Sequence, residues 1–246
     1  MDNTQIQNSF KKGLKDGLPI GLGYFSVSFT FGMMAVSAGI PVWAAVLISM
    51  TNLTSAGQFA GLSIIAGAGS LVEMAMTQLV INARYSLMSL TLSQKMEKRF
   101  SVPKRLIAAF SNTDEIFAVA VNQGKEIGAK YYSGLSIIPY AGWTLGTLFG
   151  AVAGGFLPPV VNDALGLAIY AMFIAIIIPP AKKSAPIRLV IFAAVILSCL
   201  FYFVPFLKNV SSGFSIIICA VAASIIAAIV NPVNDDEPET EQEANE

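Results

Sequence analysis

The stretch LVEMAMTQLVINARYSLMSLTLS, residues 71–93, decides the fold. It exceeds the roughly 20 apolar residues that cross a bilayer as a helix, yet carries an arginine near its centre. At the helical step of about 100° per residue, Val72, Met76, Leu79, Ala83, Leu87 and Leu90 fall on one face. That face suits lipid or apolar neighbours. The remaining arc collects Glu73, Thr77, Gln78, Asn82, Arg84, Tyr85 and Ser89. A central Arg costs about 2.5–3.5 kcal/mol even on the lenient insertion scale, so Arg84 must face a cavity or a partner. A solute site and a structural ion pair that pins a bundle both satisfy that demand.

The rest of the chain reads the same way. Of 246 residues, 55% are hydrophobic and 12% charged, against about a quarter charged in a soluble domain. Apolar runs punctuated by Gly and Pro lie at 18–38, 42–67, 71–93, 105–123, 133–157, 163–180, 187–207 and 212–231. The predicted fold is all-α: a polytopic transmembrane helical bundle. The run from residue 18 is longer than a signal-peptide core and reads as a retained first span. Residues 5–16 are expected to form a short interfacial helix. The domain plan is an N-terminal cytoplasmic segment at 1–17, a transport domain at 18–231 and an acidic cytoplasmic tail at 232–246. Seven of the 15 Asp and Glu residues fall in 235–246, a composition expected to stay disordered. Without histidine or a CxxC pair, and with Cys199 and Cys219 inside apolar runs, neither a metal site nor a cofactor is expected.

Basic residues cluster at 11–15, 95–105, 125–130 and 182–188. Lys and Arg favour the cytoplasmic side, so an even number of crossings should separate each pair of clusters. Three runs lie between the first two clusters, and one therefore cannot cross. The run 42–67 is interrupted by Ser49, Thr51, Asn52, Thr54, Ser55, Gly57 and Gln58, and is expected to enter, break and return. The run 105–123, broken by Ser111-Asn112-Thr113-Asp114-Glu115, is expected to do so from the opposite side. Two such broken or re-entrant segments, each followed by a span, have the logic of an inverted repeat. Both termini would then be cytoplasmic.

The polar residues in these breaks are the candidate site. Asp114 and Glu115 are the natural partners for Arg84, and two adjacent carboxylates do not both ionise easily. They would bind a cation or ammonium group, or else cap a broken helix facing water. At residues 55–61, with Gly57 among them, a half-helix N-terminus would expose N–H groups suited to a carboxylate, to which the Gln58 side chain would add a hydrogen bond. Plain small-residue packing explains that stretch equally well. Gly142, Gly146, Gly150 and Gly154, at strict four-residue spacing, make a groove for close backbone approach by a hairpin or a separate small subunit. Tyr140 and Trp143 read as interface anchors. The runs 187–207 and 212–231 look like scaffold.

Gly17-Leu18-Pro19-Ile20, Gly23-Tyr24, Phe31-Gly32, Ala56-Gly57-Gln58-Phe59, Asn82-Ala83-Arg84-Tyr85, Thr113-Asp114-Glu115, and Trp143 with Gly146 together resemble the AzlC/YgaZ family. The resemblance runs from about residue 13 to 180. It implies a bacterial inner-membrane, multi-pass permease exporting branched-chain amino acids (Val, Leu and Ile, with Met as a further candidate), paired with a small hydrophobic AzlD/YgaH-like subunit. Where the family usually has Asn-Leu-Arg-His, this chain has Tyr85 in place of the histidine. Coupling to a proton would then rest on Asp114, Glu115 or Glu73. A zwitterionic substrate needs a cation, an anion and an apolar wall. Arg84 or the half-helix at 55–59 would hold the carboxylate. Asp114 or Glu115, with Asn112 or Asn82, would hold the ammonium, and Phe59, Met74, Met76 and Phe117 would line the pocket. Two other classes compete: the membrane subunit of an ATP-driven importer, and an intramembrane enzyme using paired carboxylates. The chain has no phosphate-binding loop, no nucleophile motif and no nucleic-acid signature.

Overall fold

The computed structural model describes residues 8–97, 100–123, 126–154, 174 and 177–231. The predicted run 163–180 up to residue 176, Lys125 and the tail from 232 lie outside the described residues, Ile174 apart. The chain divides into two compact units, Met1–Phe173 and Ile174–Glu246.

The spine of the first unit is a pair of long helices, α1 (Phe10–Ser37) and a later one, here called α8 (Ala129–Gly154). Ser9 caps α1, its Oγ accepting from the Lys12 N–H at 3.2 Å, and the Lys12–Asp16 ion pair closes the next turn at 2.7 Å. The first helix therefore begins at Phe10 rather than Leu18. From Phe10 onward, the expected separate interfacial helix is part of it.

The helices of this pair run parallel. Gly13 faces Tyr131 and Leu135 at one end, and Gly32 faces Thr147 and Ala151 at the other. The end of α1 at Phe10 is called the near end here, and the end at Ser37 the far end. The four-spaced glycines of α8 take α1 as their neighbour, not a hairpin or another subunit. A Cβ on Gly142 would strike the Gly21 carbonyl, one on Gly146 the Phe25 carbonyl, and one on Gly150 the Phe29 carbonyl. Pro139 cannot donate to the Leu135 carbonyl, and that freed oxygen lies 2.5 Å from where a Gly17 Cβ would sit. Only hydrogen fits there.

Two broken segments flank this spine from opposite ends. The first is α2 (Val42–Thr51) and α3 (Ser55–Ala66), joined by extended residues 52–54. A straight helix would hold Ser49 and Gln58 about 13 Å apart. Instead Gln58 Nε2 donates to Ser49 Oγ at 3.1 Å, so the chain folds back on itself. Leu62 returns to the far-end cluster of Phe31, Ala35, Ala45 and Ala151.

The helix α4 (Leu71–Asn82) then leads into α5 (Arg84–Lys95), the two separated only by Ala83. The sequence predicts one uninterrupted helix here. At Ala83 the ladder tightens to three-residue bonds, Ala83 N–H to Val80 O and Ser86 N–H to Ala83 O. The predicted apolar face holds across this joint: Val72, Met76, Leu79, Leu87 and Leu90 are all exposed, while Glu73 and Thr77 are buried.

The second broken segment is α6 (Val102–Phe110) and α7 (Asp114–Val121), joined at 111–113. It starts and finishes at the near end. Phe100, Ala108, Ile116, Ala120, Ile127, Tyr131 and Tyr132 share one core cluster, and Lys95 Nζ donates to the Val121 carbonyl at 3.0 Å. The two hairpins thus enter from opposite ends, in the arrangement of an inverted repeat.

The second unit holds α9 (Ala185–Phe203) and α10 (Ser212–Val230), linked by a 3₁₀ turn at Leu207–Asn209. The predicted run to residue 207 stops at Phe203 because Pro205 disfavours helical backbone just before it. Among the described residues, α1, α8, α9 and α10 are each long and apolar enough to cross a membrane. No strand beyond the isolated Met96–Ile127 bridge is present among them.

Candidate functional site

Both breaks come to rest midway along the α1–α8 spine, but they are built differently. At the first, Gln58 is 2% exposed. Its Oε1 accepts from Trp143 Nε1 at 2.8 Å while its Nε2 donates to Ser49, which bonds Thr147 at 2.7 Å. Trp143 is itself buried. It is a clamp on the hairpin, not the interface anchor predicted. With its amide engaged at both ends, Gln58 is a strut rather than an open ligand.

A second set of bonds ties this break to α4. Thr54 Oγ1 caps α3 by accepting from Gly57 N–H and donates to Asn82 Oδ1 at 2.9 Å. Asn82 Nδ2 donates to Gln78 Oε1, and Gln78 Nε2 to the Gly57 carbonyl at 2.8 Å. Gly57 leaves room for this, since a Cβ there would sit 2.6 Å from Gln78 Oε1. Both polar groups of Asn82 are therefore spent on the break.

The second break carries charge. Arg84 lies just past the Ala83 turn, and its Nη2 pairs with Asp114 Oδ2 at 2.8 Å, both side chains about half exposed. The guanidinium also lies over the Tyr85 ring, 5.2 Å from its centroid. Thr113 caps α7, accepting from Ile116 N–H, so the break presents a helix start with two acids in its first turn. The Tyr24 hydroxyl of α1 bonds Thr113 Oγ1 at 2.6 Å and the Glu115 carboxylate. Asn112 Nδ2 donates to Ser89 Oγ at 3.1 Å, but its Oδ1 is buried with no partner. A buried acceptor left unmade costs about 1–3 kcal/mol, so that oxygen is poised for a donor.

The two breaks are bridged through neighbouring residues. Tyr24 packs edge-on against Trp143 with ring centroids 5.3 Å apart, and Asn82, bonded to Thr54, sits two residues from Arg84. Of the predicted site residues, Arg84, Asp114, Glu115 and Asn112 therefore form one cluster, with Asn82, Gly57 and Gln58 behind it. Glu73 is not brought there. It is buried beside the Ser70 cap at the far end of α4, about 16 Å along the helix from Arg84. Nor do the four predicted wall residues surround one space. Phe59 packs on Phe31, Met74 touches Gly61, Met76 points outward, and Phe117 joins the near-end core. Among the described residues no group of acids, cysteines or histidines could hold a metal ion.

A helical bundle with two hairpins entering from opposite ends, each broken midway along the spine, defines an all-α polytopic membrane protein. The AzlC protein family model matches residues 19–157, and the chain belongs to that family. It is 34% identical over 175 residues to an uncharacterized membrane protein of Archaeoglobus fulgidus, covering 70% of this chain and 76% of that one. It is 30% identical to the inner membrane protein YgaZ of Escherichia coli, over 72% and 75% of the two chains. The branched-chain amino acid transport protein AzlC of Bacillus subtilis is 21% identical over 74% and 71%. No solved structure matches the chain.

Proposed function

We propose that this protein exports branched-chain amino acids by alternating access, with the Arg84–Asp114 pair at the centre of the substrate site. The observation that carries the reading is this ion pair at the second break, two residues along the chain from Asn112 with its unpartnered oxygen. A zwitterion inserted between the two side chains replaces one ion pair with two. Its carboxylate takes the Arg84 guanidinium, and its ammonium takes Asp114 together with Asn112 Oδ1. Glu115, held by Tyr24, is the nearby group suited to carry a coupling proton.

The near end, which carries Lys11, Lys12, Lys15, Lys95, Lys104, Arg105 and Lys130, is assigned to the cytoplasm by the positive-inside rule. A small hydrophobic membrane subunit completes the assembly. The name of the Bacillus relative, which specifies branched-chain amino acid transport, supports the substrate class.

Efflux of isoleucine or valine from loaded vesicles tests the site. Arg84→Ala and Asp114→Asn are expected to abolish it with the protein still in the membrane; wild-type efflux in both variants would remove the pair from the mechanism. Direction is read separately. Expression should protect cells from toxic branched-chain analogues, whereas sensitisation would indicate uptake.

A further inference from the structure

An apolar groove on the near half of the first unit plays no part in the site above. It lies between α6 and α8 and has a volume of about 590 Å³. We infer that this groove holds one acyl chain of an anionic phospholipid, with the headgroup between Lys104 and Lys130.

Three observations on the groove converge on that occupant. Its hydroxyls are spent: Ser111 donates to Ser136, Ser136 to the Tyr132 carbonyl, and Tyr132 to the Ala108 carbonyl. Only Ser133 at the rim is exposed, so the wall rejects a polar solute and accepts an alkyl chain. The length also fits. The groove runs along α8 from Lys130 to Tyr140, about 15 Å, which is one leaflet of a bilayer core about 30 Å thick. It is stopped there by the edge-on contact of Phe110 with Tyr140, so a membrane-crossing helix would find only half its length accommodated.

Charge sits only at the mouth. Lys104 and Lys130 line it, no Asp or Glu does so among the described residues, and neither lysine makes a bond or ion pair with a described residue. Their neighbours are otherwise engaged, with Arg105 tied to the Phe100 and Ser93 carbonyls and Lys95 to Val121. Two unengaged ammonium groups over an apolar slot at a basic membrane face complement an anionic headgroup.

The test uses the full chain in bilayer discs of equimolar phosphatidylglycerol and phosphatidylethanolamine, released into mild detergent and weighed intact by native mass spectrometry. One phosphatidylglycerol should stay bound with about ten-fold preference. Lys104→Gln with Lys130→Gln should erase the preference, and Ser133→Trp should block retention of either lipid. Both changes lie at the surface, and a monodisperse elution profile checks that the variants fold. Equal retention of the two lipids by the wild type, or a preference that survives the double Gln variant, overturns the proposal. So does a photoreactive group on Ser133→Cys that captures a second copy of the chain or another protein instead of lipid.

Discussion

The breaks at 52–54 and 111–113 solve the same problem with opposite chemistry. Each interrupts a helix midway along the α1–α8 spine, and within a bilayer unpaired backbone groups are costly and a lipid-facing break is not tolerated. The first is neutral and closed. Gln58, Ser49, Thr147 and Trp143 satisfy one another, and Thr54, Asn82 and Gln78 fasten the open backbone. The second is charged and left incomplete, with a half-exposed Arg84–Asp114 pair and an unmet Asn112 oxygen. A break that satisfies itself holds shape, whereas one with open valences can exchange its internal partners for a ligand.

Substitutions can break that contrast or sharpen it. The largest effect is expected at the charged break: Asp114→Asn or Arg84→Ala should lower branched-chain amino acid efflux at least about ten-fold, equivalent to about 1.4 kcal/mol of lost stabilisation. Equal losses of efflux from Gln58→Leu would abolish the distinction.

Gly150→Ala comes next and acts on both breaks at once, because its methyl would strike the Phe29 carbonyl and force α1 from α8. Overpacking of this kind costs about 1–3 kcal/mol, read as a lower midpoint in thermal unfolding of the detergent-solubilised protein. Trp143→Phe removes the donor to Gln58 and should cost about 1–2 kcal/mol of stability, with transport scaled by the amount of folded protein. Tyr24→Phe cuts the bonds to Thr113 and Glu115 but keeps the ring against Trp143. It should leave stability within about 1 kcal/mol and shift the pH profile of efflux. Gly23→Ala, inside α1 where a Cβ meets nothing within 4 Å, should leave efflux unchanged and raise stability by at most about 1 kcal/mol.

Much of this contrast was legible in the residues. Polar runs inside apolar segments cannot face lipid, so the sites of both breaks followed from composition and charge parity, and Arg84 needed an acid that only a few positions could supply. What escaped was height and hydrogen-bond detail. A helical projection places Glu73 and Arg84 on one arc, and both are on it, but it says nothing of the roughly three turns between them. The joint at Ala83 was invisible because alanine is the best helix former; its neighbour Asn82, drawn to Thr54 and Gln78, marks the place. Trp143 reads as an interface residue by type. The signal that it is internal was its register with Ser136 and Thr147, which sets three polar-tipped side chains on one stripe of α8, all of them buried.

The spine itself limits how the molecule can rearrange. Where α1 meets α8, glycine hydrogens bear directly on backbone carbonyls, and such a seam has no rotamers to exchange and no slack to take up. Sliding by a fraction of a turn would drive a carbonyl against the next residue in the row. The two helices therefore act as a single girder, and in the proposed transport cycle the movement falls to the half-helices braced against it.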